Sequence, residues 1–301
     1  MGVARSLERY DRDMGKSTVY YIGAVTPENV VKVYEALGVE LPGKVGVKLH
    51  SGEPGNQNFL GPSMWKPMIE RVGGTIIESN TAYDGGRGVS DKHWATMKEH
   101  GWTAAAPVDI LDEEGELSLP VRGGVRIQQN FVGSHLANYD SILMASHFKG
   151  HPMGGFGGAC KNMSIGIASS HGKKYIHGAG DVDVSFEADH DAFLESMADA
   201  DRSIMDFFPG RIAFVNVMAN MSVDCDCCSV AEDPAIADIG VLASLDPVAL
   251  DQACVDLVYA SDDPGRDHLV ERIESRNGVH TLEAAAGLGV GSREYELVRL
   301  D

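Results

Sequence analysis

The stretch TVYYIGAVTPENVVKVYEALG (Thr18–Gly38), followed by KVGVKLH (Lys44–His50), sets the fold class that the sequence predicts. Its first residues are mostly β-branched or aromatic, which is typical of a strand. Thr26 and Pro27 then suit the N-cap and the first turn of a helix, and Gly38 suits its end. The apolar run that follows is a second strand, so the chain starts as strand, helix and strand.

The same alternation continues to the end of the chain. Further strands are predicted at 74–80, 140–150, 211–223 and 295–300, and further helices at 62–73, 90–101 (capped by Ser90), 160–170, 189–208 and 246–260 (capped by Asp246). We therefore predict an α/β fold with a largely parallel or mixed central sheet and helices on both faces. Residues 1–18 are expected to form a flexible segment and residues 19–301 a single α/β unit. A division into two lobes near residues 120–130 is the alternative.

Charge and composition exclude several classes of partner. The chain has 25 Lys and Arg residues against 44 Asp and Glu residues, which gives a formal net charge of −19. Such a surface repels phosphate backbones and anionic lipids, so neither nucleic acid nor a membrane is an expected partner. No run approaches the ~18 apolar residues of a membrane span, and no secretion signal starts the chain. We predict a cytoplasmic protein.

The stretch SHFKGHPMGGFGGACKN (Ser146–Asn162) combines histidines, lysines, a cysteine and glycines in a way that a plain core segment rarely needs. If its first part is extended, alternate side chains share a face. His147, Lys149 and His151 would then project together from the end of a strand. Because histidine can donate or accept a proton near neutral pH, these three are the predicted catalytic residues.

The glycines of this stretch allow a ligand to approach the backbone closely. A helix that starts near Gly158 would present free N–H groups to an anion. Gly157, Gly158 and Lys161 are therefore predicted to bind an anionic group of the substrate. The spacing is neither that of a P-loop nor that of a dinucleotide fingerprint. The alternative is a glycine-rich turn with surface histidines.

A cysteine cluster is the second signal. Cys225, Cys227 and Cys228 follow a strongly apolar strand, and clustered thiolates are soft ligands for zinc or iron. Cys160, or a histidine of the glycine-rich stretch, could complete the shell if the two loops meet. We therefore predict an iron–sulfur cluster or zinc here, with metal and anion in one centre. Buried, inert cysteines are the alternative.

Two upstream loops carry weaker signals. The segment KLHSGEPGN places His50 at a strand end and Glu53 in a loop, and Arg87 lies in a later loop. Arginine can clamp a carboxylate or phosphate with two N–H groups. Ligands of open α/β sheets bind beyond the carboxyl ends of strands. These three residues are therefore predicted to bind substrate in the same cleft, although each alone also suits an ordinary loop.

Several blocks of the sequence resemble the family named domain of unknown function 362. They include VKLHSGEPGN (47–56), SHFKGHPMGGFGGACKNMSIGIASSHGKKYIH (146–177) and ADIGVLASLDPVALDQACVDLV (237–258). They follow the family's order over roughly residues 19–300. The resemblance implies no particular reaction, but many members look like iron–sulfur proteins because they carry a ferredoxin-like insert with CxxCxxC repeats.

That insert usually follows the position of His177, and this chain departs from the pattern there. The segment GAGDVDVSFEADHDAF (178–193) contains no cysteine, so ferredoxin-type clusters are not carried over. Only the cluster Cys225–Cys228 remains as a site for a metal or an iron–sulfur cluster. If electrons are involved, they would come from an external electron-transfer protein.

Together these signals favour a metal- or iron–sulfur-dependent, oxidoreductase-like enzyme that acts on a small anionic molecule. One alternative is a metal-handling or electron-transfer accessory protein without turnover of its own. The other is a metal-free enzyme that uses the histidines and lysines of the cleft for acid–base chemistry. Bound metal without a small-molecule ligand would favour the accessory protein.

Overall fold

The computed structural model describes residues 16–301, so most of the predicted N-terminal segment lies outside the described residues. Ser17 and Thr18, which we placed in that segment, open the first strand. The strands are β1 (Ser17–Ile22), β2 (Val45–Lys48), β3 (Thr75–Glu78), β4 (Val108–Ile110), β5 (Glu116–Pro120), β6 (Gln129–Gly133), β7 (Ser141–His147), β8 (Lys149–His151), β9 (Gly155–Gly157), β10 (Ile212–Met218), β11 (Gly240–Ser244) and β12 (Tyr295–Arg299). The helices are α1 (Pro27–Glu35), α2 (Pro62–Val72), α3 (Ser90–Glu99), α4 (Trp102–Ala105), α5 (Ala159–Ile167), α6 (Ser170–His177), α7 (His190–Phe207), α8 (Pro247–Tyr259), α9 (Arg266–Ser275) and α10 (His280–Gly287).

Eight strands form one mixed sheet in the order β12-β1-β11-β10-β7-β2-β3-β4. Every neighbouring pair is parallel except the two that involve β11, which runs against both β1 and β10. The prediction of a largely parallel or mixed sheet is confirmed. We named no strand at β11, because a short apolar run such as GVLAS does not distinguish a strand from a buried helix.

Both faces of the sheet are covered by helices, as predicted. In β7, Ile142 and Met144 belong to one core, and Leu143 and Ala145 belong to the other. Helices α5 and α8 pack on the first face, while α1 and α2 pack on the second. This alternation is why β7 and β10 are buried along their whole length.

Two of the three predicted helix caps are present. The side chain of Thr26 accepts a hydrogen bond from the backbone N–H of Asn29, and Asp246 caps α8 in the same way. The prediction for α3 is wrong, because Ser90 is its first residue and makes no cap bond. Its hydroxyl accepts instead from the side chain of Asn80 at 3.0 Å.

The parallel strands place their carboxyl ends at one edge of the sheet. Lys48, Glu78 and His147 are the last residues of β2, β3 and β7, so polar side chains collect there. The segment 120–130, our alternative lobe boundary, joins β5 to β6 in a hairpin. None of the helices within residues 16–301 is long and apolar enough to cross a membrane.

Candidate active site

A cavity of about 220 Å³ opens at the carboxyl edge of β2, β3 and β7. The side chains that end these strands form its floor, and the glycine-rich stretch forms one wall. All three predicted catalytic residues line this cavity: His147, Lys149 and His151. Phe148 lies between them in the sequence but is fully buried in the core, as the predicted alternation requires.

Cationic side chains dominate the cavity of this acidic protein. Those that line it are Lys48, Arg87, Lys149, Lys161 and Lys173. Within residues 16–301, three carboxylates pair with them: Glu78 pairs with Lys48, Glu53 with Arg87, and Asp226 with Lys149. The unequal numbers leave positive charge in a partly desolvated space, where an anion would be attracted strongly.

His147 is held in place by both of its ring nitrogens. Nδ1 lies 2.9 Å from the carboxylate of Asp226, and Nε2 lies 2.6 Å from the carbonyl oxygen of Ala219. Both oxygens only accept, so each of these contacts is a hydrogen bond when that ring nitrogen carries a proton. This ring cannot act as a base without breaking a buried hydrogen bond, and its geometry suits the positioning of Asp226.

Lys149 is also tied to Asp226, at 2.9 Å. Burial opposes its charge, but Asp226 and Cys225 raise the pKa of the ammonium group. Lys149 therefore stays a cation at neutral pH. It can attract an anion or stabilise a thiolate, whereas the proton transfer that we predicted for it is disfavoured.

The loop residues predicted to bind substrate form a buried network. Arg87 donates to Glu53 at 3.0 Å, and its guanidinium lies 3.3 Å from Nε2 of His50. His50 and Arg87 line the cavity, but Glu53 does not. Glu53 instead accepts from the backbone N–H of Gly86 and so holds the loop that carries Arg87. Its role here is to position the arginine.

Two backbone N–H groups in the first turn of α5 are already bonded within the protein. Asp251 accepts from the backbone N–H of Ala159 at 2.7 Å and from that of Cys160 at 2.9 Å. The anion that we expected at this helix terminus is therefore a side chain of the protein itself. Gly158 makes this approach possible, since a Cβ there would lie 2.3 Å from Asp251 Oδ1.

The cavity keeps the other parts of the predicted anion site. Gly157 and Gly158 line it, and so does Lys161 on the first turn of α5. The ammonium group of Lys161 lies 3.7 Å from Cys225 Sγ. Lys161 therefore connects the cation-rich cavity to the cysteine cluster.

His151, Cys225 and Cys227 form a group that could hold a metal ion, with their ligand atoms all within 4.8 Å of one another. The cysteine loop docks against β8, where Gly150 donates to the carbonyl of Ser222 at 2.8 Å. A side chain at Gly150 would collide with this loop, since a Cβ would lie 2.4 Å from the carbonyl oxygen of Val223. The sequence HFKGH thus brings imidazole and thiols together.

The surroundings of Cys225 favour its thiolate form. A hydrogen bond from Cys227 holds the pKa of the Cys225 thiol well below its usual range, with help from Lys161 and Lys149 and against the effect of burial. The pKa of Cys227 is raised because it shares its hydrogen with Cys225 and Cys228. A thiolate is both the nucleophilic and the metal-binding form of cysteine.

His151 presents a defined ring nitrogen to this thiolate. Its Nδ1 accepts backbone N–H groups from Met153 at 3.2 Å and from Gly154 at 2.8 Å. Burial and Lys161 lower the pKa of the ring, which is therefore neutral with a single ring proton. Because Nδ1 accepts, that proton lies on Nε2, the nitrogen left for Cys225.

The other two predicted metal ligands are not members of this group. Cys228 is partly exposed and touches the cluster through its contact with Cys227. Cys160 is buried in the hydrophobic core below the sheet edge, beside Asp251 and Asp201. We expected at least one of Cys160, His147 and His151 to join Cys225 or Cys227, and the residue that lies with them is His151.

The residues of the site that were not selected from the sequence include Lys48, Glu78, Lys173 and His177. Lys48 and Glu78 each end an apolar strand, which is the sequence signal that could have identified them. In the structure both are almost fully buried, and their charged groups lie 2.7 Å apart. The signal for the second two was i,i+4 spacing on α6, which places them on one face. Burial lowers the pKa of Lys173 to about 7 and that of His177 to about 3.

Comparison with known proteins places the chain in a family. None of the curated proteins matches its sequence. Among solved structures, the lactate racemase apoprotein from Thermoanaerobacterium thermosaccharolyticum aligns with a TM-score of 0.46 and 13% identity over 82% of this chain. A protein from Thermotoga maritima aligns with a TM-score of 0.42 and 12% identity over 89% of this chain. The alignments span 58% and 61% of those two longer chains. Residues 45–256 match the family described as domain of unknown function (DUF362), and the chain belongs to that family.

Proposed function

We propose that this protein is a metal-dependent enzyme that acts on a small anionic substrate. The observation that supports it is the group His151, Cys225 and Cys227 beside a cavity rich in cations. Two thiolates and one imidazole form a ligand set of catalytic zinc sites, in which the fourth position stays open to water or substrate. His151 and Cys227 line the cavity, so that position would face a bound substrate.

The residues of the chain have separate roles in this proposal. A bound ion would supply Lewis acidity next to the substrate. Lys161 would hold an anionic group between the ion and the cavity, because its ammonium group already lies beside Cys225. Lys149 would balance the charge of the thiolates, and Asp226 would fix Lys149. Glu78 and Lys48 keep the floor of the cavity polar without leaving an unpaired charge.

An iron–sulfur cluster is the redox form of the same proposal. Such a cluster is commonly held by four cysteine thiolates. Cys225, Cys227 and Cys228 would supply three of them, while Cys160 lies in the core with a raised pKa. The fourth iron position would then be available to substrate. This form predicts iron with acid-labile sulfide, whereas the single-ion form predicts zinc or iron alone.

Metal analysis after anaerobic purification tests both forms. We expect about one equivalent of zinc, or iron, in the wild type. An iron–sulfur cluster would add a broad absorption near ~400 nm. Cys225→Ser combined with Cys227→Ser should remove the metal, and Cys160→Ala should retain it. Metal-free wild type, or full occupancy in the double variant, would contradict the proposal. Metal without any affinity for small anions would favour the accessory protein.

A metal-free enzyme is the second candidate, and one observation favours it. A metal bound through Nε2 of His151 requires the proton on Nδ1, which faces two backbone N–H donors at 2.8 and 3.2 Å. Ion binding would therefore require the turn at Met153 and Gly154 to move. Without the ion, the Cys225 thiolate is itself a nucleophile beside Lys161. Absence of metal together with a thiolate signal at neutral pH would support this candidate.

A further inference from the structure

Apolar side chains line the cavity beside the cations, and one of them is an exposed aromatic ring. Phe186, Met153 and Ile165 line the cavity together with Lys161 and Lys173. Phe186 is 43% exposed, although phenylalanine side chains are usually buried. A ligand that fills the cavity therefore meets both positive charge and apolar surface.

Phe186 is the outer member of a cluster of three rings, and its ring is tilted by 44° from that of His177. Its ring centroid lies 4.6 Å from that of His177, and the His177 ring stacks on Phe193 at 4.8 Å with an interplanar angle of 18°. His177 donates from Nδ1 to the carbonyl of Lys173 at 2.7 Å. Burial keeps this ring neutral by lowering its pKa to about 3. The uncharged ring of His177 can pack against the ring of Phe186, and its Nε2 keeps a lone pair.

The backbone that carries Phe186 is in an unusual conformation. Its φ is +69°, and Ala179 in the same segment has a φ of +50°. The other two non-glycine residues with positive φ in the described part of the chain are asparagines, which tolerate this region. Such conformations in bulky residues are typical of ligand clamps, where the surrounding structure holds them.

From the exposed ring of Phe186 in a cavity that cations also line, we infer that Phe186 sets substrate specificity, and that the substrate class is a small anion attached to a planar, unsaturated or aromatic body. The anionic group lies toward Lys161, and the planar body stacks on the exposed ring of Phe186. The proposed function requires only an anion, so this inference rests on that function and extends it.

Paired probes that differ only in the planar body test this assignment. Binding of benzoate and of acetate would be measured by calorimetry, with phenyl phosphate and inorganic phosphate as a second pair. We expect the aromatic member of each pair to bind about tenfold more tightly, which is the scale of one aromatic contact plus its apolar area. Phe186→Ala should remove about that factor for benzoate and leave acetate unchanged.

Phe207→Ala is the matched control. Phe207 is 39% exposed, similar to Phe186, but lies at the end of α7 and does not line this cavity. Equal affinity for benzoate and acetate in the wild type, or the same loss in both variants, would overturn the inference. If anions bind but Phe186→Ala changes nothing, only this inference fails. If neither anion binds, the anionic substrate of the proposed function fails with it.

Discussion

Cys225 and Cys160 are both fully buried cysteines, yet their surroundings drive them toward opposite forms. Cys225 lies 3.7 Å from Lys161 and receives a hydrogen bond from Cys227, so its pKa is well below the usual range. Burial and the carboxylates of Asp251 and Asp201 raise the pKa of Cys160 well above its usual range. The difference in pKa between these two cysteines is thus decided by neighbouring hydrogen bonds and charges, because burial is common to both.

The aspartates next to the two cysteines differ in whether they have charged partners. Asp226, beside Cys225, is 1% exposed and contacts Lys149 and His147. Asp201 is fully buried, and within residues 16–301 its oxygens have no hydrogen-bond partner other than the neighbouring thiol of Cys160. A buried carboxylate is stable as an anion only when it is paired. Asp226 therefore remains charged and Asp201 keeps its proton.

Removing the charge of Asp226 should have the largest effect on stability. Asp226→Asn leaves Lys149 and His147 buried without their carboxylate, so we expect a loss of about 3–5 kcal/mol in the free energy of unfolding. Burial opposes ionisation of Asp226, but His147 and Lys149 lower its pKa overall. The stabilisation is therefore present above the unfolded pKa of about 4 and is lost as the pH falls below it.

Chemical denaturation of wild type and variant between pH 3 and neutral pH, roughly the range that contains carboxyl titration, measures this effect. Asp224→Asn is the control, because Asp224 is two residues away, more exposed, and paired with Arg272 at 3.4 Å. That variant should lose at most about 1 kcal/mol. A loss in Asp226→Asn no larger than in the control would show that Asp226 is not the charge that holds the cationic side of the site.

For Asp201 we expect the opposite dependence of protein stability on pH. Burial and Asp251 raise its pKa well above the ordinary value, so the folded state binds a proton that the unfolded state has released. Wild-type stability should therefore fall as the pH rises from about 4 toward the folded pKa. Asp201→Asn removes that cost, and we expect it to stabilise the protein by about 1–2 kcal/mol at neutral pH.

Asp199 provides the comparison for this variant on the same helix. It is equally buried, but its carboxylate accepts the backbone N–H groups of Val125, Arg126 and Ile127. Asp199→Asn should therefore destabilise the protein, in contrast to Asp201→Asn. Thermal unfolding of both variants at several pH values distinguishes them. Destabilisation by both would mean that Asp201 has a partner in solution, and the contrast between the two acids would then be wrong.

The sequence alone predicted the elements and the chemical types of the site, but not its pairings. Strand and helix periods are local signals, so β7 and α8 could be located from short windows. The antiparallel direction of β11 could not, because strand direction depends on partners far along the chain. Asp251 illustrates the same limit: it caps the helix that begins at Ala159, 92 residues earlier. No spacing rule connects residues so distant.

The placement of Cys160 failed for a related reason. A glycine-rich loop makes a tight approach to the cysteine cluster possible, but the direction of each side chain is set when α5 forms. Cys160 is the second residue of that helix and faces the core, whereas Lys161 lies on the cavity side. Neighbouring residues on a helix point about 100° apart, so one residue of shift decides which of them reaches the site.

The smallest expected effect is electrostatic and concerns Cys225 directly. Lys161→Gln removes the ammonium group 3.7 Å from its sulfur without changing the helix propensity of α5 much. Because an opposite charge favours the ionised form, its loss should raise the pKa of the Cys225 thiol. The thiolate form would then be lost at a higher pH than in the wild type as the solution is acidified.

The measurement is the ultraviolet absorbance of thiolate in metal-free protein, titrated with pH. Lys174→Gln, an exposed lysine on α6, should leave the titration unchanged. An unshifted titration in Lys161→Gln would mean that the hydrogen bond from Cys227, the largest influence on Cys225, is sufficient to hold the thiolate by itself.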